Sequence, residues 1–195
     1  MISSTSNIKV KNIINLKKSA KARKKENCFL VEGPRMFFEI PRDRVMECYL
    51  TEEFAGKYDK ELRGWNYELI SENVCRHLSD TKTPQGVIAV VRREEPDIGE
   101  LINKECFFLL ESLQDPGNLG TIVRTAEGAG VTGIIMNKET VDIYNPKVIR
   151  STMGAIFRVP FVITDDLPQV VEQLKQKGIS VYAGHLKGDV FYKQD

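Results

Sequence analysis

Chemistry-bearing residues of several kinds are scarce in this chain of 195 residues, which has four cysteines, two histidines and one tryptophan. Cys28, Cys48, Cys75 and Cys106 are widely and unevenly spaced and form no CxxC pair. With only His77 and His185 to join them, the spacing argues against a zinc site or any other metal centre. Scattered thiols without a secretory signal point to a reducing cytoplasm. No apolar run approaches the roughly 20 residues that a membrane helix needs. Net charge is also scarce. Twenty-eight basic against 27 acidic residues leave +1, so any nucleic-acid footprint must be local rather than a field of the whole molecule. Hydrophobic content of 42% and charged content of 28% are those of a soluble globular protein, and the length suits one large domain or two small ones. Internal repeats and low-complexity tracts are absent.

Against that neutral background, residues 1–25 hold eight basic residues and no acidic one. Ile8, Ile13, Ile14, Leu16 and Ala20 make a broken apolar stripe, while Lys17, Lys18, Lys21, Arg23, Lys24 and Lys25 crowd the remaining surface. This pattern predicts an amphipathic helix with its apolar side on the protein and its cations outward. A solvated helix face accounts for the charges too, but a cluster of one sign repels itself unless an anion neutralises it. A contact with an RNA backbone is the reading favoured.

From Cys28 to Arg93, short apolar strands alternate with helical patterns. Strands are expected at Phe29–Val31, Val45–Leu50, Tyr67–Ile70 and Gly86–Val91, with a helix through Met36–Phe38. The alternation predicts a small three-layer α/β sandwich. Glu32 and Arg35 flank a Gly-Pro turn where they can meet RNA, although Glu32 could equally cap the helix that follows. His77 reads as a surface or packing residue, and Trp65 as partly buried in a loop. Residues 94–100, acidic and containing proline and glycine, mark the boundary between a unit at 1–95 and another at 104–195.

The most informative stretch runs from Phe107 to Gly130. Phe107–Leu110 reads as a buried parallel strand, Gln114–Asn118 as a tight polar turn, and Ile122, Val123, Ala126 and Ala129 recur at helical spacing until Gly130. Open α/β sheets bind ligands beyond the carboxyl ends of their strands, which places Asn118 and Arg124 near a ligand, and free N–H groups at the turn favour an anion such as phosphate. A generic βα turn, with Asn118 as helix cap and Arg124 solvated, fits the same residues. The glycines do not reproduce the dinucleotide fingerprint. Further strands are expected at Gly133–Met136, Pro160–Ile163 and Ile179–Ala183, a helix at Leu167–Lys177, and a surface loop at Asn137–Tyr144.

The segment DPGNLGTIVRTAEGAG resembles the first motif of the SpoU (TrmH-like) group of SPOUT RNA methyltransferases, and Asn145–Arg158 (NPKVIRSTMGAIFR) resembles the second, at the expected distance downstream. FLVEG at 29–33 and TPQGV at 83–87 look like signatures of that family's substrate-binding domain, which has a ribosomal-protein-like fold. The resemblance implies a SPOUT-type parallel-sheet α/β domain that transfers methyl from S-adenosylmethionine to a ribose 2′-hydroxyl, with rRNA ahead of tRNA as substrate. It implies a homodimer formed through the methyltransferase domain, with the second motif contributing to the contact. Arg124 maps to the motif-one arginine credited with activating the hydroxyl, and Asn118 helps position the site. A guanidinium stays protonated in proteins. Arg124 is therefore better suited to anchoring phosphate and stabilising a developing alkoxide than to acting as a base. Arg150 and Arg158 are cations able to reach RNA or a carboxylate across an interface.

The family's third motif, with its glycine, glutamate and Ser-Leu-Asn segment, does not occur in these 195 residues. The expectation is a fragment whose C-terminal trefoil knot is missing or incomplete, with most donor-binding positions beyond Asp195. Two rival readings are a non-enzymatic RNA-binding protein and a metabolic α/β enzyme acting on a small anion.

Overall fold

Two short helices open the chain, α1 at Ile8–Lys18 and α2 at Ala20–Lys25. The computed structural model describes residues 1–94, 96–101 and 106–184. One amphipathic helix was expected here, but Ser19 divides it. Its extended backbone ends α1 through a bond to Asn15, and its hydroxyl accepts from the Ala22 N–H to begin α2. A serine side chain that offers the backbone an alternative partner is a common cause of such a break.

The N-terminal sheet contains β1 (Cys28–Glu32), β2 (Val45–Leu50), β3 (Glu68–Leu69) and β4 (Val87–Arg92) in the order β1-β4-β2-β3, antiparallel except for the β2–β3 pair. Alternation sorts its side chains. Cys28, Leu30, Tyr49, Ile88 and Val90 pack with α1, α2 and α5 (Glu72–Leu78). Phe29, Val31, Leu50, Ala89 and Val91 face the opposite side, with α3 (Pro34–Phe37) and α4 (Glu52–Lys57). Burial on both faces is why β1 and β4 read as unbroken apolar runs.

After α6 (Ile98–Leu101), the second half runs β5 (Phe107–Leu110), α7 (Pro116–Gly128), β6 (Gly133–Asn137), α8 (Pro146–Thr152), β7 (Phe161–Thr164) and α9 (Leu167–Gln176). Its three strands are parallel in the order β5-β6-β7. Helices α7 and α8 cover one face through Leu119, Val123, Val148 and Ile149, and α9 covers the other through Leu167, Val170 and Leu174. The two halves share one core. Tyr144 lies between Phe29, 4.9 Å away ring to ring, and Phe161, 5.7 Å away, and its hydroxyl donates to the Glu94 carbonyl at 2.7 Å.

Three expectations are corrected. Strand β5 is parallel but only half-buried, because among the described residues it pairs with β6 alone, at the edge of the sheet. Residues 137–144 form a connection but not a surface loop, since Thr140, Ile143 and Tyr144 are buried. Ile179–Ala183 forms no strand; Ile179 and Val181 pack against the α9 cluster, so burial is met without ladder bonds. His185 and the apolar residues 190–192 lie outside the described residues.

Candidate active site at the carboxyl rim of the parallel sheet

Beyond Leu110 the chain turns sharply. Ser112 adopts a left-handed backbone (φ 52°), a conformation that side chains other than glycine rarely take. Asp115 then caps α7, its carboxylate accepting from the Asn118 N–H at 2.7 Å, and Pro116 occupies the first helical position, where its missing N–H costs nothing. Asn118 is therefore the third residue of the helix and not a turn residue or the cap. The reason is local: an aspartate followed by proline is the stronger start signal.

Six residues separate Asn118 from Arg124. On an α-helix that is about 9 Å along the axis and about 120° around it. Both side chains are exposed, and neither makes a hydrogen bond or ion pair among the described residues. The helix thus places them at two edges of one solvent-facing arc, not stacked on a single stripe. Between them, Thr121 donates its hydroxyl back to the Gly117 carbonyl at 2.9 Å. The opposite side of α7 lies so close to α8 that a Cβ on Gly120 would fall 2.8 Å from the Val148 carbonyl oxygen and inside the Ser151 side chain. The two motifs are in direct backbone-level contact.

The proposed RNA-contacting residues divide. Lys18, Lys21, Lys24, Lys25 and Arg35 are exposed and uncommitted among the described residues. Arg23 is not available and is corrected: it is 3% exposed, its Nε and Nη2 bonded to Asp142 at 3.1 and 2.6 Å and its Nη1 to the carbonyls of Leu16 and Lys17. Lys17 is likewise turned inward, to Asp80 at 2.7 Å and the Leu78 carbonyl at 2.8 Å. Glu32 neither caps α3 nor faces solvent; it accepts from Ser79, Asp80 and Thr81. Arg150 stands 3.9 Å from Glu32 and 3.7 Å from Asp80, across the crevice between the halves that Lys17 and Ile149 also line. Arg158 bridges Glu127 and Glu39, which holds the Glu127 carboxyl below its ordinary value. Each of these cations found a carboxylate distant in sequence, a pairing that no local pattern announces.

Sequence reasoning missed Asn137 and Gln114. Asn137, one residue beyond the β5–β6 ladder, accepts from the Ser112 N–H and the Thr140 hydroxyl, both at 2.8 Å, and donates to the Ser112 hydroxyl at 3.1 Å. Gln114 donates to the carbonyls of Ser112 and Glu139 at 3.0 and 2.7 Å. The remaining chemistry is sparse. Among the described residues no group of three or more His, Cys, Asp or Glu side chains gathers to hold a metal, and no helix is long and apolar enough to cross a membrane. His77 is exposed on α5. Trp65 is half-buried, its ring 4.4 Å from Phe37 and under the Arg42 guanidinium.

An open parallel sheet, with a polar helix start at its carboxyl rim and a mixed-sheet unit packed against it, defines a two-part α/β ligand-binding protein. Residues 105–195 match the SpoU rRNA Methylase family, and residues 7–89 match the MRM3-like substrate binding domain. The chain is 34% identical over 195 residues to the 23S rRNA (guanosine(2553)-2′-O)-methyltransferase RlmP of Bacillus subtilis, covering 99% of this chain and 76% of that protein. It is 30% identical over 166 residues to the mitochondrial rRNA methyltransferase 3 of Homo sapiens, covering 79% of this chain and 39% of that one. Its α/β fold matches a solved rRNA methyltransferase from Sinorhizobium meliloti with a TM-score of 0.79 at 27% identity, over 98% of this chain and 74% of the other. An AdoMet-bound rRNA methyltransferase from the same organism matches with a TM-score of 0.72 at 27% identity, over 89% and 68%. The chain belongs to the SpoU rRNA methylase family.

Proposed function

We propose that this protein is an S-adenosylmethionine-dependent methyltransferase acting on a ribose 2′-hydroxyl of RNA, with rRNA ahead of tRNA, and that Arg124 and Asn118 carry the acceptor side of its site. The relatives named above support the activity and the donor: RlmP is by name an rRNA 2′-O-methyltransferase, and a solved relative is AdoMet-bound. One observation carries the site. Asn118 and Arg124 are exposed and uncommitted among the described residues, whereas Arg23, Arg150 and Arg158 already face carboxylates.

Residues 1–95 form the RNA-binding unit in this reading, with a ribosomal-protein-like sandwich, and residues 104–195 belong to the methyltransferase unit. The second motif contributes to a homodimer. Lys18, Lys21, Lys24, Lys25 and Arg35 contact the RNA backbone, a sequence-independent and salt-sensitive interaction. When bound, S-adenosylmethionine supplies an electrophilic methyl group. The rim suits the anionic RNA acceptor, because it offers a neutral amide and a guanidinium that hold no carboxylate among the described residues. Asn118 orients the ribose. Arg124 remains protonated, anchors a neighbouring phosphate and stabilises the negative charge that grows on the 2′-oxygen as its proton leaves.

Replacing Arg124 by alanine is expected to lower methyl incorporation into rRNA by about 10²–10³-fold with the melting temperature unchanged, since the exposed side chain makes no hydrogen bond or ion pair among the described residues. Near-normal turnover would refute the assignment.

A further inference from the structure

Resting on that reading, we propose that Asn137 is a positioning residue: its carboxamide clamps Ser112 in the left-handed conformation and thereby presets the turn from which α7, with Asn118 and Arg124, departs. Ser112 stands between the last residue of β5 and the Asp115 cap, so its φ of 52° decides the direction in which the chain enters α7. A backbone held in a sparsely populated region persists only where its surroundings over-determine it, and Asn137 supplies that. Its Oδ1 accepts from the Ser112 N–H, and its Nδ2 donates to the Ser112 hydroxyl. The amide is itself fixed by Thr140, which is buried and donates to the same Oδ1.

Two further straps keep the segments in register. Gln114 bridges the Ser112 and Glu139 carbonyls, and the Val141 N–H donates to the Leu113 carbonyl at 2.8 Å. The 111–115 turn is therefore tied side to side to 137–141. Asn137 touches no reacting atom. It acts through Ser112.

The experiment is a rescue. Asn137→Ala is expected to lower kcat for rRNA methylation by about tenfold to a hundredfold, the scale of a misplaced catalytic group, while KM for RNA stays within about twofold. Glycine adopts positive φ without steric cost. Ser112→Gly in the Asn137→Ala background is therefore expected to restore kcat to within about threefold of the parent. Unchanged kcat in Asn137→Ala, or a double variant as slow as the single one, overturns the proposal. Amide hydrogen exchange of Ser112, Asn118 and Val141, whose N–H groups donate to Asn137, Asp115 and the Leu113 carbonyl, reads the clamp without activity. It is expected to accelerate at least about tenfold in Asn137→Ala, and unchanged exchange also overturns the clamp. Should Asn137→Ala fail to fold, Asn137→Asp keeps the acceptor and loses the donor. An intermediate kcat then supports the clamp, and full activity overturns it. Absence of methyl transfer by the parent protein would count against the methyltransferase reading alone, because the exchange measurement still decides the clamp.

Discussion

Breaking the Arg23–Asp142 pair gives the most informative perturbation of how the basic helices sit on the rest of the molecule. The guanidinium is 3% exposed and uses all three nitrogens, two on Asp142 Oδ2 and one on the carbonyls that end α1. Asp142→Asn preserves shape but leaves a buried cation facing a neutral partner. Removing one partner of a buried pair costs about 3–5 kcal/mol, and the two remaining carbonyl acceptors argue for the lower end. At roughly 2–4 °C per kcal/mol for a chain of this size, a loss of about 3 kcal/mol lowers Tm by about 6–12 °C. The reverse change is milder. Arg23→Met leaves Asp142, whose side chain is 28% exposed, able to recruit water, and about 1–2 kcal/mol is expected. Denaturant unfolding of both variants and their double mutant measures the coupling. RNA binding supplies the discriminating result. Neutralising Lys24, proposed above to contact the RNA backbone, should reduce the salt slope of log K by about 0.7–0.9, whereas Arg23→Met should leave it unchanged. An Arg23→Met variant with full stability and a reduced slope would refute the buried-staple assignment.

Other expectations follow from the same contacts. Helix propensity alone predicts that Gly120→Ala stabilises α7 by about 1 kcal/mol, but a methyl group 2.8 Å from the Val148 carbonyl must force α7 and α8 apart, so a net loss of about 1–2 kcal/mol is expected; a raised Tm would sink that reasoning. The Arg158 guanidinium holds the Glu127 carboxyl below its ordinary value of 4.5. The stability this pair gives is thus present above about pH 4.5 and drains as pH falls through the lowered value. The Tm advantage of the parent over Glu127→Gln should shrink as pH falls below about 4.5, and an advantage that stays unchanged in acid contradicts it. Burial pushes the Cys28 thiol up to about 11 and the Cys48 thiol up to about 12, and raises Cys75 as well. Cys106 is exposed. Alkylation of the folded protein near neutral pH should label Cys106 alone, with all four cysteines reacting after denaturation; fast double labelling of the native state would be inconsistent with this burial.

Much of the architecture was legible residue by residue. The apolar runs at Phe29–Val31 and Gly133–Met136, the helical spacing of Ile122, Val123 and Ala126, and the Gly-Pro turn each encode structure within a few neighbours, and those elements stand where the patterns put them; Pro116 and Gly117, read as a turn, instead open α7. The two long motifs identified the family for the same reason: a turn and a helix start are specified by contiguous residues. The site was legible in outline only. Arg124 and Asn118 were singled out, and both side chains are exposed without partners among the described residues, but the cap proved to be Asp115, and the side-chain bonds to Ser112 come from Asn137, a residue 25 positions further on.

The amino-acid order by itself settled the kind of elements, their succession, and which stretch of the chain carries the motif. Three-dimensional packing alone decided which cations are spent. Arg23 looks identical to Lys24 and Lys25 in a basic run, yet it is buried against an aspartate 119 residues away, and Arg158 reaches Glu39 over the same separation. The physical reason is range. Caps, turns and periodicity act over one or two turns of backbone, whereas the neutralisation of a charge depends on whichever group the fold brings within about 4 Å of it.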